Sequence, residues 1–355
     1  MGFDPITGNQ TSIFPARQHM LAHLHWWMSY YHVDSYRLDS VNNVRSWDFV
    51  GAFAAEGRGV WNDRWKAEGN PGTGDDRFLV VGEELSMPMS LLGKIDALWN
   101  ERFRNRVRNA IVGRSALGQP SFEWTVREMI DCHNLPGFTD GSQAVNYIGS
   151  HDLANTDGDG TNNDRIYNYL DRMGVALKDK PLKLAFVCLL TAVGVPMILA
   201  GDEFADPMDF NLNDPNVDTR KQTDPVNYDL VTSDPWRAQL FQYVSRLVKV
   251  RTTADALSVN DTEFIHIDFA SGKRVLAWKR GAPGQDPVIV VANFSDWATD
   301  ISSPSAEYRV NNWPALPAGK GWREITQNRL VPAEWAGREP VFAWEAKVYQ
   351  AAAAG

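Results

Sequence analysis

Three short runs constrain this chain more than anything else in it. They are Tyr36-Arg37-Leu38-Asp39, Val80-Val81-Gly82-Glu83 and Asn146-Tyr147-Ile148-Gly149-Ser150-His151-Asp152. Each is apolar and β-prone and ends in a carboxylate, in the order Asp, Glu, Asp. One strand ending in an acid is common. Three in series are far less so when one has an Arg two residues before its acid and another has a His directly before it. A barrel of parallel strands carries its chemistry at the carboxyl ends of those strands. Three runs of this kind would deliver three acids to one end of one sheet.

The rest of the first 250 or so residues fits that scheme. Residues 16–32 place Met20, Leu21, Leu24, Trp27, Met28 and Tyr31 at helical spacing, which predicts an amphipathic helix. A strand over 33–38 and a helix over 48–55 follow, then a Gly-, Asp- and Asn-rich loop over 62–76. Continuous apolar runs predict buried strands at 78–81, 95–99 and 144–148. A basic helix is expected over 102–112 and a buried helix over 182–193. A strand over 196–200 runs into Gly201-Asp202-Glu203, where the two acids read as organisers of a loop. A helix over 236–251 shows an apolar stripe at Leu240, Tyr243, Val244, Leu247 and Val248. Such alternation implies a parallel sheet with crossover helices. Near residue 255 it gives way to strands at 264–269, 274–279 and 288–294 joined by short turns, the pattern of an antiparallel sheet. The fold class expected is α/β, a partial barrel over residues 1–254 followed by an antiparallel β domain over 255–355.

Composition removes several function classes. The formal net charge is −9, whereas nucleic-acid binding needs a basic footprint. The longest apolar stretch, 184–199, is broken by Gly194 and Pro196 and is too short to span a bilayer. No positively charged start leads into an apolar stretch, so a cytoplasmic protein is expected. Cys132 and Cys188, the only cysteines, form no disulfide framework or metal-ligand spacing. Asp157, Asp159 and Asn163 lie in a Gly-rich loop with oxygen ligands at alternating spacing, in the manner of a Ca²⁺ loop. That loop lacks the distal Glu of an EF-hand and reads first as a solvated turn, and no cofactor is expected to be required. Fourteen Trp serve either core packing or, for a subset such as Trp99, stacking against sugar rings.

Paired carboxylates at a cleft suit cleavage or transfer of a glycosidic bond. With these residues in hand, the chain resembles the α-amylase superfamily of glycoside hydrolases, family 13. Ser35-Tyr36-Arg37-Leu38-Asp39 is similar to that family's fourth-strand motif, Gly82-Glu83 to its fifth and Ser150-His151-Asp152 to its seventh. The stretches 96–103 and 196–204 are similar to the sixth- and eighth-strand regions of debranching, isoamylase- and pullulanase-like members, and residues 255–350 to the family's C-terminal β-sandwich. The resemblance implies that Asp39 is the nucleophile and Glu83 the acid and then the base. Asp152 would stabilise the transition state, and Arg37, His151, Trp99 and Asn43 would contact or orient substrate. It implies a retaining hydrolase of α-glucans. Glu84, beside Glu83, is expected to favour the protonated acid.

Departures from the pattern keep alternatives open. Ser35 replaces the usual Gly, and Asn43 stands where many amylases have His. Nothing before Asp39 matches the family's third-strand motif, and strands four to eight account for residues 33–252, whereas a whole barrel takes roughly 250 residues. Either the chain is a fragment or something else closes the sheet, and in the second case a homodimer, or docking of residues 1–15, would cover the incomplete barrel. The alternatives are a branching-type transglycosylase and an inactive carbohydrate-binding remnant.

Overall fold

A computed structural model describes residues 2–3, 7, 10–11, 14–44, 46–83, 89–134, 137–152, 164–208, 225–303 and 306–353. The chain divides into two compact units, Met1–Trp99 and Asn100–Gly355. None of the helices among the described residues is long and apolar enough to cross a membrane.

In the first unit, β1 (Gly2–Phe3) and β2 (Gln10–Thr11) form a small antiparallel ribbon. Helix α1 (Pro15–Tyr30) opens on a proline, whose missing N–H costs nothing at a helix start. Strand β3 (Ser35–Leu38), helix α2 (Trp47–Ala67), β4 (Leu79–Gly82) and β5 (Ala97–Asn100) follow. Strand β4 pairs in parallel with both β3 and β5. Leu24 and Met28 of α1 and Val50, Phe53 and Trp61 of α2 pack with Phe78, Val80 and Leu98 in one core cluster.

Two expectations are corrected here. The loop expected from residue 62 starts later, because α2 continues to Ala67. Trp61 is buried on that helix and donates its indole N–H to the Gly74 carbonyl at 2.7 Å. Arg64 lies 4.6 Å from its ring, and Arg64 and Lys66 favour the helix's carboxyl end. On α1, only Leu24 and Met28 of the expected stripe are buried, while Met20, Trp27 and Tyr31 are exposed. The helix carries a wider apolar side than its packing uses, and Trp27 and Tyr31 meet each other instead, at 4.7 Å.

The second unit begins with α3 (Glu101–Ala110), whose amino end is capped by the Asn100 side chain accepting from Phe103 N at 3.1 Å. Then come α4 (Phe122–Ile130), β6 (Ala144–Tyr147), α5 (Ile166–Arg172), α6 (Asp179–Thr191), β7 (Val195–Met197) and α7 (Pro235–Thr253). Strands β6 and β7 pair in parallel, Val145 opposite Val195 and Tyr147 opposite Met197. Val248, placed in the apolar stripe by its spacing, is on the exposed side of α7.

The C-terminal part is one antiparallel sheet made of β8 (Thr262–Asp268), β9 (Val275–Arg280), β10 (Val288–Asn293), β11 (Lys320–Glu324), β12 (Arg329–Val331) and β13 (Ala346–Ala353). Its order is β12-β11-β13-β10-β9-β8. Strand β10 shows how the sheet is covered. Val288 and Val290 join the core formed with α6 and α7, while Ile289 and Val291 join a second core with Tyr308, Val310 and Trp322. This is the two-residue alternation of a strand buried on both faces. In place of the expected two-sheet sandwich, the described residues form a single sheet lined by helices on one side and by the irregular segment around Tyr308 on the other.

Candidate active site

Parallel register fixes two of the acids. Leu38 stands opposite Gly82, so Asp39 and Glu83 are the next residues beyond a registered pair. Glu83 N donates to Leu38 O at 2.9 Å and Val41 N donates to Glu83 O at 3.0 Å, which carries the pairing past the strand ends. Gly82 is needed at this point. A Cβ there would lie 2.8 Å from Ile95 Cδ1 and 3.0 Å from both Leu98 Cδ2 and Val41 Cγ1.

Arg37 ties the two carboxylates together. One guanidinium nitrogen, Nη1, lies 2.8 Å from Asp39 Oδ1, and the other, Nη2, contacts Glu83 Oε2. Ser40 N also donates to Glu83 Oε2, at 3.3 Å, from a residue with φ of 40°. The acids differ in setting, since the Asp39 side chain is 77% exposed and that of Glu83 only 9%. Asp39 opens onto a groove of about 540 Å³ whose wall includes Trp27, Tyr36, Phe49 and Phe53. Trp99 is buried, and the Arg37 guanidinium lies 5.0 Å from its ring. Of the two readings of Trp99, this geometry favours packing and support of Arg37 over an open sugar platform. Asn43 is exposed and turned toward Ser40, donating to its Oγ at 2.6 Å.

In the second unit, β6 is wholly buried and the chain emerges at His151 and Asp152, whose side chains are 59% and 48% exposed. His151 Nε2 lies 3.9 Å from Asp152 Oδ1. Beneath this strand end is a buried ionic cluster that sequence reasoning did not anticipate. Arg108, on α3, donates from Nε to Ile148 O at 2.9 Å, and burial pushes its pKa down to about 10. Asp202 is fully buried. Desolvation raises its pKa to about 7 despite Arg165 at 3.6 Å, and neither of its oxygens has a hydrogen-bond partner among the described residues. Arg165 also faces Asp206 at 3.4 Å. Gly149 allows this cluster to approach the strand, because a Cβ there would lie 2.8 Å from Asp202 Oδ2. Asp202, read as a loop organiser, is fully buried against Arg165. Glu203 accepts from Gly201 N at 2.8 Å. The basic run Arg104, Arg106 and Arg108 was visible in the sequence, but Arg is ordinarily a solvated residue. Asp157, Asp159, Asn163 and Glu84 lie outside the described residues.

No family model matches the chain. Among curated proteins, isoamylase SU1 of Zea mays is 22% identical over 379 residues, covering 91% of this chain and 44% of that protein. Isoamylase 1 of Arabidopsis thaliana is 25% identical over 312 residues, covering 75% and 37%. Both are relatives of the kind that the strand-end motifs resemble. The chain is thus similar to isoamylases along most of its own length. Solved structures agree on the fold. An α-amylase of Anoxybacillus superposes with a TM-score of 0.65 at 18% identity, over 96% of this chain and 63% of that one. A pullulanase of Bacillus acidopullulyticus superposes with a TM-score of 0.66 at 16% identity, over 94% and 40%. The chain spans less than half the length of the curated relatives it matches.

Proposed function

We propose that this chain is a retaining hydrolase of α-glucans of the debranching, isoamylase-like type. The single observation that carries the proposal is the pair of carboxylates beyond one registered strand pair, bridged by Arg37 and unequal in exposure. A retaining mechanism needs one carboxylate free to attack and another able to carry a proton, so unequal surroundings suit it. In the first step an Asp39 oxygen bonds the anomeric carbon as the glycosidic C–O bond breaks, and the Glu83 proton passes to the departing oxygen. In the second, Glu83 takes a proton from water, whose oxygen displaces Asp39 from the anomeric carbon. His151 and Asp152 take the roles of hydroxyl contact and transition-state stabiliser that the family resemblance implies, and Asn43 that of a further hydroxyl contact. Isoamylase, pullulanase and amylase are the names of its relatives and neighbours, which supports an α-glucan as substrate.

The test is the configuration of the first-formed product, read by proton NMR within the first turnovers on a branched α-glucan. The α anomer is expected, and the β anomer would overturn the retaining step. A second reading is carbohydrate binding without turnover. It draws on the direct Arg37–Glu83 ion pair, since a carboxylate held against a guanidinium is poorly placed to donate a proton. The homodimer expected from the sequence is likewise a proposal. The exposed Trp26, Trp27 and Tyr30 of α1, with Tyr31 just beyond its end, are the surface it would cover, and a chain that stays monomeric in sedimentation equilibrium would contradict it.

A further inference from the structure

The second unit contains a cavity of about 500 Å³ lined by α6, α7 and the segment before β13, and none of the candidate catalytic residues lines it. We infer that this cavity is a second saccharide-binding site, a reading that rests on the α-glucan substrate proposed above. The size is within the range of small-ligand sites. Its walls combine the two things a sugar needs, an aromatic surface for the C–H face and polar groups that both give and accept hydrogen bonds.

Helix α7 supplies Gln239, Gln242 and Arg246 from successive turns of one face, the spacing that brings side chains side by side. Both glutamines are exposed, and each amide can donate and accept. The aromatic surface is Phe342 and Trp344. Trp344 has φ of 54°, a conformation that costs a non-glycine residue free energy and is found where the surroundings impose it. Here the surroundings are visible. Trp344 Nε1 donates to Asp296 Oδ1 at 2.7 Å and its backbone N donates to Ser295 O at 3.1 Å, so the residue is held by its indole and by its backbone. The same side chain also lines a neighbouring cavity with Val112 and Leu177.

The charges favour a neutral ligand over an anion. Lys183 lies 3.4 Å from Asp179 and 5.7 Å from the centre of the Tyr243 ring, and Lys180 donates to Ala343 O at 3.3 Å. Glu345 also lines the cavity. Arg246 donates from Nη2 to Thr326 O at 3.0 Å, so each of the three cations has an acid or carbonyl partner, and against Asp179 and Glu345 the wall keeps one net positive charge.

The experiment uses the full chain carrying Asp39→Asn, so that turnover does not consume the ligand, and follows maltoheptaose binding by isothermal titration. Saturable binding is expected, weakened about ten-fold by Trp344→Ala and similarly by the double change Gln239→Ala with Gln242→Ala. The double variant alters only exposed helix positions and keeps the test informative if Trp344→Ala fails to fold. Hydrolysis of a short branched maltooligosaccharide by the chain with Asp39 intact should be unchanged by the glutamine pair. Absence of binding overturns the inference, as does full affinity in the glutamine variant or binding of inorganic phosphate in place of maltoheptaose. Failure of the α-glucan hydrolase reading would appear separately, as no reducing-sugar release by the unaltered chain.

Discussion

Arg37 is the residue at which sequence and structure meet most directly. Its place two residues before Asp39 suggested pairing with that acid, and the structure gives it Glu83 as a second partner and Trp99 beneath it. Replacing it with Ala would leave a largely buried Glu83 without its countercharge, a loss that typically costs about 3–5 kcal/mol when a buried pair is broken. Asp202 allows a sharper prediction. Its pKa is about 7 in the folded chain against 3.8 when solvated, because burial disfavours the anion. The folded state therefore binds more protons than the unfolded state between those values, and this group's contribution to stability falls as pH rises through that window. The change amounts to about 4 kcal/mol at most. Urea unfolding at pH 5 and pH 7.5 should show this loss, and Asp202→Asn should remove that part of the slope. An unchanged slope would contradict the assignment. Gly82→Ala, which would force a Cβ against Ile95, Leu98 and Val41, should cost about 1–3 kcal/mol in the same assay.

At the scale of elements, β4, β5 and β6 were legible because each is a continuous apolar run, and α7 because its stripe repeats at helical spacing. Helix α4 was missed, although Ser121 caps it and Phe122, Thr125, Val126, Met129 and Ile130 mark its buried face. The polar Glu123, Arg127 and Glu128 between them obscured the pattern. The end of α2 was misread because Asn62 and Asp63 looked like the start of a loop, while burial of Trp61 extends the helix through them to Ala67. The ionic cluster around Asp202 was not legible at all. Nothing local distinguishes an arginine that will be buried from one that will be solvated, and Arg108 and Arg165 are defined only by tertiary contacts. Asn100 links two elements, capping α3 and donating to Asn146 Oδ1 at 2.9 Å. Asn100→Ala should therefore cost more than the roughly 1 kcal/mol of a lost cap, about 2–4 kcal/mol, since a buried acceptor is also left unpaired. Thermal unfolding measures it, and a cost under about 1 kcal/mol would mean that Asn146 finds another donor.

For the whole molecule, the division of labour follows from what each part of the sequence can bury. In each unit parallel strands bring acids to their carboxyl ends, and an antiparallel C-terminal sheet adds a second core without contributing any of the candidate catalytic residues. The chain is 22–25% identical to two isoamylases, over less than half of their length. Whether this chain turns over an α-glucan rests on Asp39. The most direct measurement is release of reducing sugar from a branched and a linear α-glucan by the chain and by Asp39→Asn. Release by the chain, greater on the branched substrate and abolished by Asp39→Asn, is the result predicted. Equal release by both proteins, or none from either substrate, would contradict the assignment of Asp39 as the nucleophile of a working hydrolase.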